Sequence, residues 1–477
     1  MSYKRKERDQ MTFLPSMVED YISQHDPVRV YDAFCDALDF SQLGIPIVED
    51  KQGQEEYYPR DMLKLLVYGY SYGIRSSRKL EQANCHNLSF MWLMGGLKPD
   101  YRTIARFRVK HKDAIKKALK QCVKMCIDLD LIEGSALFVD GSPFRANASI
   151  RKTWTKQRCE EHLKKVSDHI DKLVDESENL DIKEDEQGSL VSISKEIKDK
   201  KELKAKIEEI ASKLDDNKKL HNTVDSDSCI VKGRQGTHAG YNAQLVVDTK
   251  HGLIVHSEAL THNQDYNKLS DQVQKATEVL EKKPETVSTD CGYYSLKDIA
   301  KVDSDITVVI PSIKQAQKEK NLHPLKPFDK EQFKYDKDKD EYICPKNKRL
   351  KFSFRQAAGE RYYRANPKNC KTCFNFGQCT SSNSGRQITR LREEELKENL
   401  QHIYLSQKGQ EIYKLRKAKV ELPFGHIKRN LGASQFLLRT KPKVDAELSI
   451  LSICFNVVRM ITLIGAPSLI LKLNGYG

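Results

Sequence analysis

Two short strand-like segments, the apolar SALFVD and then TVSTD, close on Asp140 and Asp290 and are followed at once by turn-forming residues, GSP and CG. Runs of this length bounded by such residues predict buried strands, each with a carboxylate at its tip. Between them lie YNAQLVVD (241–248) and GLIVHSEAL (252–260), joined by Thr249-Lys250-His251-Gly252, which predicts a hairpin. A helical spacing from Asp265 to about Glu281 leads into TVSTD, a short helix near Leu296–Ala300 comes next, and DITVVIP starts from Asp305. The order strand, hairpin, helix, strand, helix, strand calls for a mixed α/β sheet flanked by helices.

The rest of the chain is organised differently. Residues 1 to about 130 carry apolar positions three and four apart in YPRDMLKLLVYGYSYG and AIKKALKQCVKMCIDL, which predicts an all-helical N-terminal domain. In that domain PDYRTIARFRVKHK carries Arg102, Arg106 and Arg108. Short helices ending in a basic one suit a DNA reader of helix-turn-helix type, and the competing reading is a small bundle with a solvated basic face. Residues 155–220 are dense in Lys and Glu, with Leu163, Val166, Ile170 and Leu173 and again Leu203, Ile207, Ile210 and Leu214 at helical spacing. These stripes predict an antiparallel helical hairpin turning near Glu184–Gly188.

Residues 312–395 form a second interruption with Cys344, Cys370, Cys373 and Cys379. Two thiols separated by two residues, with two more in reach, fit a four-sulfur structural zinc; four unrelated reduced thiols is the other reading. With 81 Lys and Arg against 67 Asp and Glu, the chain carries a net charge of +14, which favours a polyanionic partner. The start MSYKRKERDQ lacks the apolar core of a signal peptide, so a reducing, cytoplasmic setting is expected. Ser449, Ser452, Asn456 and Arg459 interrupt the longest apolar stretch, Leu448 to Ile464, and no membrane segment is expected.

Asp140 and Asp290 can each be a mere turn residue, and Glu421 in YKLRKAKVELPFGHIK one more solvated charge. Together they make a sharper case, because phosphodiester chemistry needs divalent ions held by hard oxygen ligands. Arg416, Lys417 and Lys419 before Glu421 and Lys428 after it suit phosphate on either side of a metal ligand. Asp265 in THNQDYNKL reads first as a helix cap and second as support for this site, with His262 and Asn263. Trp154, His238 and Tyr241 read as core residues or as groups near DNA. Pro423, two residues after Glu421, predicts a bend in its helix.

FVDGS, VSTDCGYYS and the set Tyr413, Arg416, Glu421, Lys428 resemble the DDE transposases of bacterial insertion sequences, in the branch with a cysteine-rich insert. The likeness runs from PDYRTIARFR to the helix around Leu448–Ile464. It implies a ribonuclease-H-like catalytic domain (131–311 and 396–477), on which Asp140, Asp290 and Glu421 bind two Mg²⁺ or Mn²⁺ ions. It also implies contacts of Tyr413, Arg416 and Lys428 with the element's ends, double-stranded DNA as end and target, a homodimer on that DNA, and action at the nucleoid. In the family pattern three residues separate the arginine from the glutamate; Arg416 leaves four, which makes Lys417 the other candidate for that role. A nuclease of the same fold and a DNA-binding repressor without catalysis are the competing functions.

Overall fold

The computed structural model describes residues 17–45, 56–181, 187–214, 219–233, 236–319, 328–357 and 359–476. They fall into two compact units. The first gathers Met1–Glu133, Gly141–Gln264 and Val420–Gly477, and the second Gly134–Asp140 and Asp265–Lys419.

In the first unit the N-terminal segment is helical, as expected, with helices Val28–Asp36, Pro59–Ser71, Ser77–His86, Tyr101–Lys110 and Lys112–Asp128 among its elements. Pro59 opens its helix at the first turn, where a missing N–H costs nothing, and Asp100 caps the next basic helix by accepting from Thr103 N at 2.6 Å. The helix Lys441–Ile464 runs through the core of this unit; its length and composition would let it cross a membrane, but 67% of its most apolar window is buried inside the protein. The polar residues that break its apolar run are held there. Asn456 donates to Ile254 O at 2.8 Å and accepts from Ile254 N at 2.9 Å, while fully buried Glu447 faces Arg75 at 3.1 Å and accepts from Leu437 N and Leu438 N. Each group thereby escapes the cost of burial without a partner.

Strand β1 (Ala136–Arg145) belongs to both units, and its second half lies in the first. There β2 (Cys229–Gly233), β3 (Gly236–Asp248) and β4 (Ile254–Leu260) pair antiparallel on β3, which bears out the hairpin. Gly240 lets the chain pass Phe144 closely, since a Cβ there would lie 2.3 Å from Phe144 O. β1 itself corrects the sequence reading. The strand does not stop at Asp140 but continues through Gly141-Ser142-Pro143, because Pro143 has a φ compatible with extended backbone and Ala146 N goes on to bond Ala239 O at 2.9 Å. Helices Lys156–Asp181 and Gln187–Ser212 pack on each other through Val166, Ile170 and Ile207, as the stripes predict. The turn expected near Glu184–Gly188 lies largely outside the described residues.

In the second unit β1 pairs parallel with β5 (Thr286–Ser288), and β5 parallel with β6 (Thr307–Val309). The helix between hairpin and β5 is Leu269–Leu280, starting four residues later than its spacing suggested. The cysteine-rich region contains an antiparallel sheet of five strands, β7 (Lys334–Asp336), β8 (Glu341–Ile343), β9 (Arg349–Arg355), β10 (Arg361–Ala365) and β11 (Gln387–Arg390). Its inner face buries Tyr342, Leu350, Tyr363 and Ile388 around Phe333, with the Tyr342 and Tyr363 rings edge to face at 5.1 Å. Such a pair adds about 0.5–1.5 kcal/mol beyond its buried area.

Candidate active site

Parallel pairing sets the first two acids. Phe138 is opposite Ser288 in the ladder of β1 and β5, so two residues further on, Asp140 and Asp290 leave neighbouring strands at the same level. Like charges so placed repel by up to about 1 kcal/mol unless a cation lies between them. Arg416 provides one. Its Nη2 is 3.0 Å from Asp140 Oδ1 and 3.9 Å from Asp290 Oδ2, and its side chain is 7% exposed against 23% and 40% for the two aspartates. The guanidinium also lies 5.8 Å from the Tyr413 ring, itself packed against Tyr404 at 5.2 Å.

Asp290 is held from below. Its Oδ1 accepts Gly292 N at 2.8 Å as it caps the short turn Cys291–Tyr293, and Ser288 Oγ and Thr289 N bond Val309 O on the neighbouring strand. Gly292 is needed because a Cβ there would stand 2.9 Å from Asp290 Oδ1 and 3.4 Å from Asp265 Oδ2. Asp265 therefore stands beside the pair, a position the helix-cap reading missed. The helix after it is capped at Lys268 without any side-chain bond. Buried Tyr293 lies beneath the group. Burial, and then the charges of Asp265, Asp140 and Asp290, push its phenol well above the ordinary range against the pull of Arg416. Nothing in the sequence marked Tyr293; the only signal was its place three residues after Asp290.

Glu421 sits on the helix Gln407–Gly425, five residues or about 7.5 Å of rise beyond Arg416. It is exposed and makes no hydrogen bond or ion pair among the described residues. Pro423 stays within this helix, and the ladder then loosens into a π-helical turn, His426–Asn430. Lys428 in that turn donates to Ser142 Oγ at 2.6 Å and to Pro143 O at 3.0 Å, over the Phe144 ring. Lys417 lies 5.1 Å from the Tyr413 ring, and Arg416 meets Asp140.

The basic residues of the N-terminal domain divide. Arg102 and Arg106 are exposed, whereas Arg108 is buried and donates to Tyr70 Oη at 2.6 Å and Arg75 O at 3.2 Å, which corrects its expected place on a DNA-facing surface. Tyr413 and Arg416 are likewise buried, so their contacts here are internal. Trp154 packs with His162 and Arg158, Tyr241 is buried with its hydroxyl on Asp225, and His262 and Asn263 are exposed.

Cys344, Cys370, Cys373 and Cys379 line one cavity of about 40 Å³. Lys348 N donates to Cys344 Sγ at 3.3 Å and Arg386 N to Cys370 Sγ at 3.5 Å. Among the described residues, no three His, Cys, Asp or Glu side chains are arranged closely enough to hold a metal ion.

The two aspartates therefore stand side by side on neighbouring strands, with Arg416 of the basic helix between them. Residues 343–461 match the model of a family described as a transposase DDE domain, and residues 16–110 that of a transposase domain (DUF772). Together the matches, which cover less than half of the chain, indicate a DDE transposase of insertion-sequence type, and such a domain implies an enzyme that cleaves and transfers DNA. The first match includes the four cysteines, Arg416, Glu421 and Lys428; Asp140 and Asp290 lie outside both. No curated protein and no solved structure matches the chain.

Proposed function

We propose that the chain binds the ends of a mobile element, cleaves at their 3′ ends and joins the freed 3′-hydroxyls to target DNA, on a ribonuclease-H-like domain. The observation that carries this reading is the convergence of Asp140 and Asp290 on one cation, Arg416. Hard oxygen donors at the mouth of a parallel pair of strands suit Mg²⁺ or Mn²⁺, and the guanidinium lying 3.0 Å from one carboxylate and 3.9 Å from the other supports their sharing a positive charge. Asp140 and Asp290 would hold the ions with Glu421 as third ligand. When bound, such ions make the attacking water or hydroxyl more acidic and stabilise the leaving oxygen. The chain's own part is positioning. The β1–β5 register and the Asp290 cap fix the two aspartates, Arg416 offsets their charge before DNA arrives, and Lys428 is anchored by Ser142. Arg102 and Arg106, exposed on one helix, are the N-terminal candidates for phosphate contact. A homodimer on DNA, with the hairpin 156–212 as a contact, completes the reading.

Asp140→Asn, Asp290→Asn and Glu421→Gln should each keep duplex binding within about threefold, judging by the loss of one exposed charge, and abolish cleavage and strand transfer. Retained cleavage in either aspartate variant refutes the site. Retained cleavage in Glu421→Gln removes only the third ligand. Cleaved ends without joined product in the parent favour the nuclease reading, and DNA binding with neither product favours the repressor.

The four thiols line one cavity, two of them accepting backbone N–H groups, which supports a structural zinc in the cysteine-rich module, although binding would require them to draw closer than they stand here. Zinc measured in the purified protein should be close to one per chain and fall in Cys370→Ser; a metal-free parent refutes it.

A further inference from the structure

The inner face of the five-stranded sheet ends in a feature that neither the acid site nor the thiol cavity uses. Arg355 of β9, Arg361 of β10 and Arg390 of β11 are direct cross-strand partners, so three arginines leave one face in a row, two residues from Tyr363 and Ile388. An open pocket of about 360 Å³ is lined by this row together with Tyr335, Lys337 and Arg392. We propose that the pocket binds a phosphate group, supplied by the DNA backbone. That DNA is the source rests on the reading above; the preference for phosphate does not.

Three observations carry it. Like charges directly opposite each other weaken a sheet, and here two such pairs share Arg361, so the row gains from an anion. The protein offsets that charge only in part. Buried Arg390 lies 2.9 Å from Glu398, and Arg361 stands 3.5 Å from Asp340. The two carboxylates of the lining have cations of their own, Glu394 in Lys330 and Lys397, and Glu395 in Lys337. Arg355 and Arg392 form no ion pair among the described residues. Finally, these two arginines converge. The Cβ that Gly359 lacks would stand 3.8 Å from Arg355 Nη2 and 3.6 Å from Arg392 Cδ, so both side chains flank one glycine of the lining. Four of the five cations in the lining are arginines, whose planar forks match phosphate oxygens two at a time. Tyr335, the ring in the lining, lies under the Arg390 guanidinium at 3.8 Å, which leaves phosphate and not a base as the group to be gripped.

The test uses the full chain and two probes: inorganic phosphate, read by thermal shift against sodium chloride of equal ionic strength, and a labelled blunt duplex, read by anisotropy. Phosphate at about ten times its dissociation constant should raise the parent's melting temperature by about 3–6 °C. Arg355→Gln with Arg392→Gln, two exposed positions, should abolish that rise without unfolding the module. On the duplex the same double variant should bind about tenfold more weakly, the scale of one hydrogen bond to a charged group. It should also flatten the dependence of log K on log salt by about 0.9, one phosphate. Lys351→Gln with Arg364→Gln removes equal charge from the opposite face of the sheet and should leave the phosphate response at the parental value. No phosphate response in the parent, or equal losses in the two double variants, overturns the proposal. A response lost only in the Arg355 and Arg392 variant, with parental duplex binding, upholds the pocket and overturns DNA as the source of its phosphate. A parent that binds no duplex strikes the transposase reading, and the phosphate response still decides the pocket.

Discussion

Replacing Arg416 with alanine tests whether the acid pair is a cation site. Two opposite charges about 4 Å apart attract by about 4 kcal/mol at an effective dielectric of about 20. Asp140 is 23% and Asp290 40% exposed, so solvent screening brings the loss to about 2–3 kcal/mol. The two carboxylates then face each other with nothing between them, and a divalent ion becomes worth more to the folded chain than it is in the parent. At about 2–4 °C per kcal/mol for a domain of 150–250 residues, the melting temperature without divalent ions should fall by about 4–12 °C. Mg²⁺ at about a hundred times its dissociation constant contributes about 2.7 kcal/mol and should recover most of that fall. Differential scanning fluorimetry of parent and variant across a Mg²⁺ series, with Ca²⁺ in parallel, measures both effects. A variant as stable as the parent would show that the ion pair is idle. A variant that melts early but gains no more from Mg²⁺ than the parent would show that the carboxylates do not form a cation site.

Two further outcomes follow from contacts near the site and in the cysteine-rich module. Gly292→Ala places a Cβ 2.9 Å from Asp290 Oδ1 and must displace that carboxylate, so cleavage should drop at least about tenfold, the scale of a misplaced reacting group, with the melting temperature nearly kept; parental cleavage would show that the Asp290 cap is not needed. Glu394 is buried, which alone would raise its pKa, but Lys330 at 2.6 Å, the Leu391 N–H and Lys397 hold it below the usual carboxylate range. Its contribution is therefore complete above about pH 4.3, the unfolded value, and is lost as pH falls through the lower folded value. Burial depresses Lys330 in turn, yet that amine stays charged throughout this acid window and does not alter the slope. Glu394→Gln should thus lower thermal stability at pH 7 and show a shallower loss than the parent between pH 4.3 and lower values, as followed by circular dichroism; parallel acid profiles would refute the assignment.

What the sequence made legible was local. SALFVD carries its strand character in four apolar residues and TVSTD in its β-branched Thr286, Val287 and Thr289, while the stripes of the 156–212 hairpin carry theirs in a repeated spacing. Asp140 was found but misplaced at a strand end, because Gly-Ser-Pro has turn composition whether or not a neighbouring strand is there to keep it extended. Asp265 reads first as a helix cap, and Tyr293 and Gly292 are hidden, for a different reason. Their roles come from a loop folding back on the turn after β5, and no periodicity in one segment encodes its distance to another. The five-stranded sheet was hidden by its own surface. KYD, EYI and RYYRA are short and mix charged residues with tyrosine, so only the tyrosines that meet on the inner face betray them.

The two aspartates and the glutamate are fixed by unlike means, and this bears on how such a site can vary. The level of Asp140 beside Asp290 follows from backbone pairing between Ala136–Phe138 and Thr286–Ser288, so side-chain changes around it can proceed without moving either carboxylate along its strand. Glu421 has no such ladder. Its position depends on the direction of the helix Gln407–Gly425, which passes Arg416 before it and Pro423 after it and ends in a π turn. One residue inserted before Glu421 would rotate it by about 100° around the helix axis. Arg416 answers to the aspartates, whereas Glu421 does not depend on it for a partner. The arginine belongs to the sheet edge, and the glutamate to the rest of the helix.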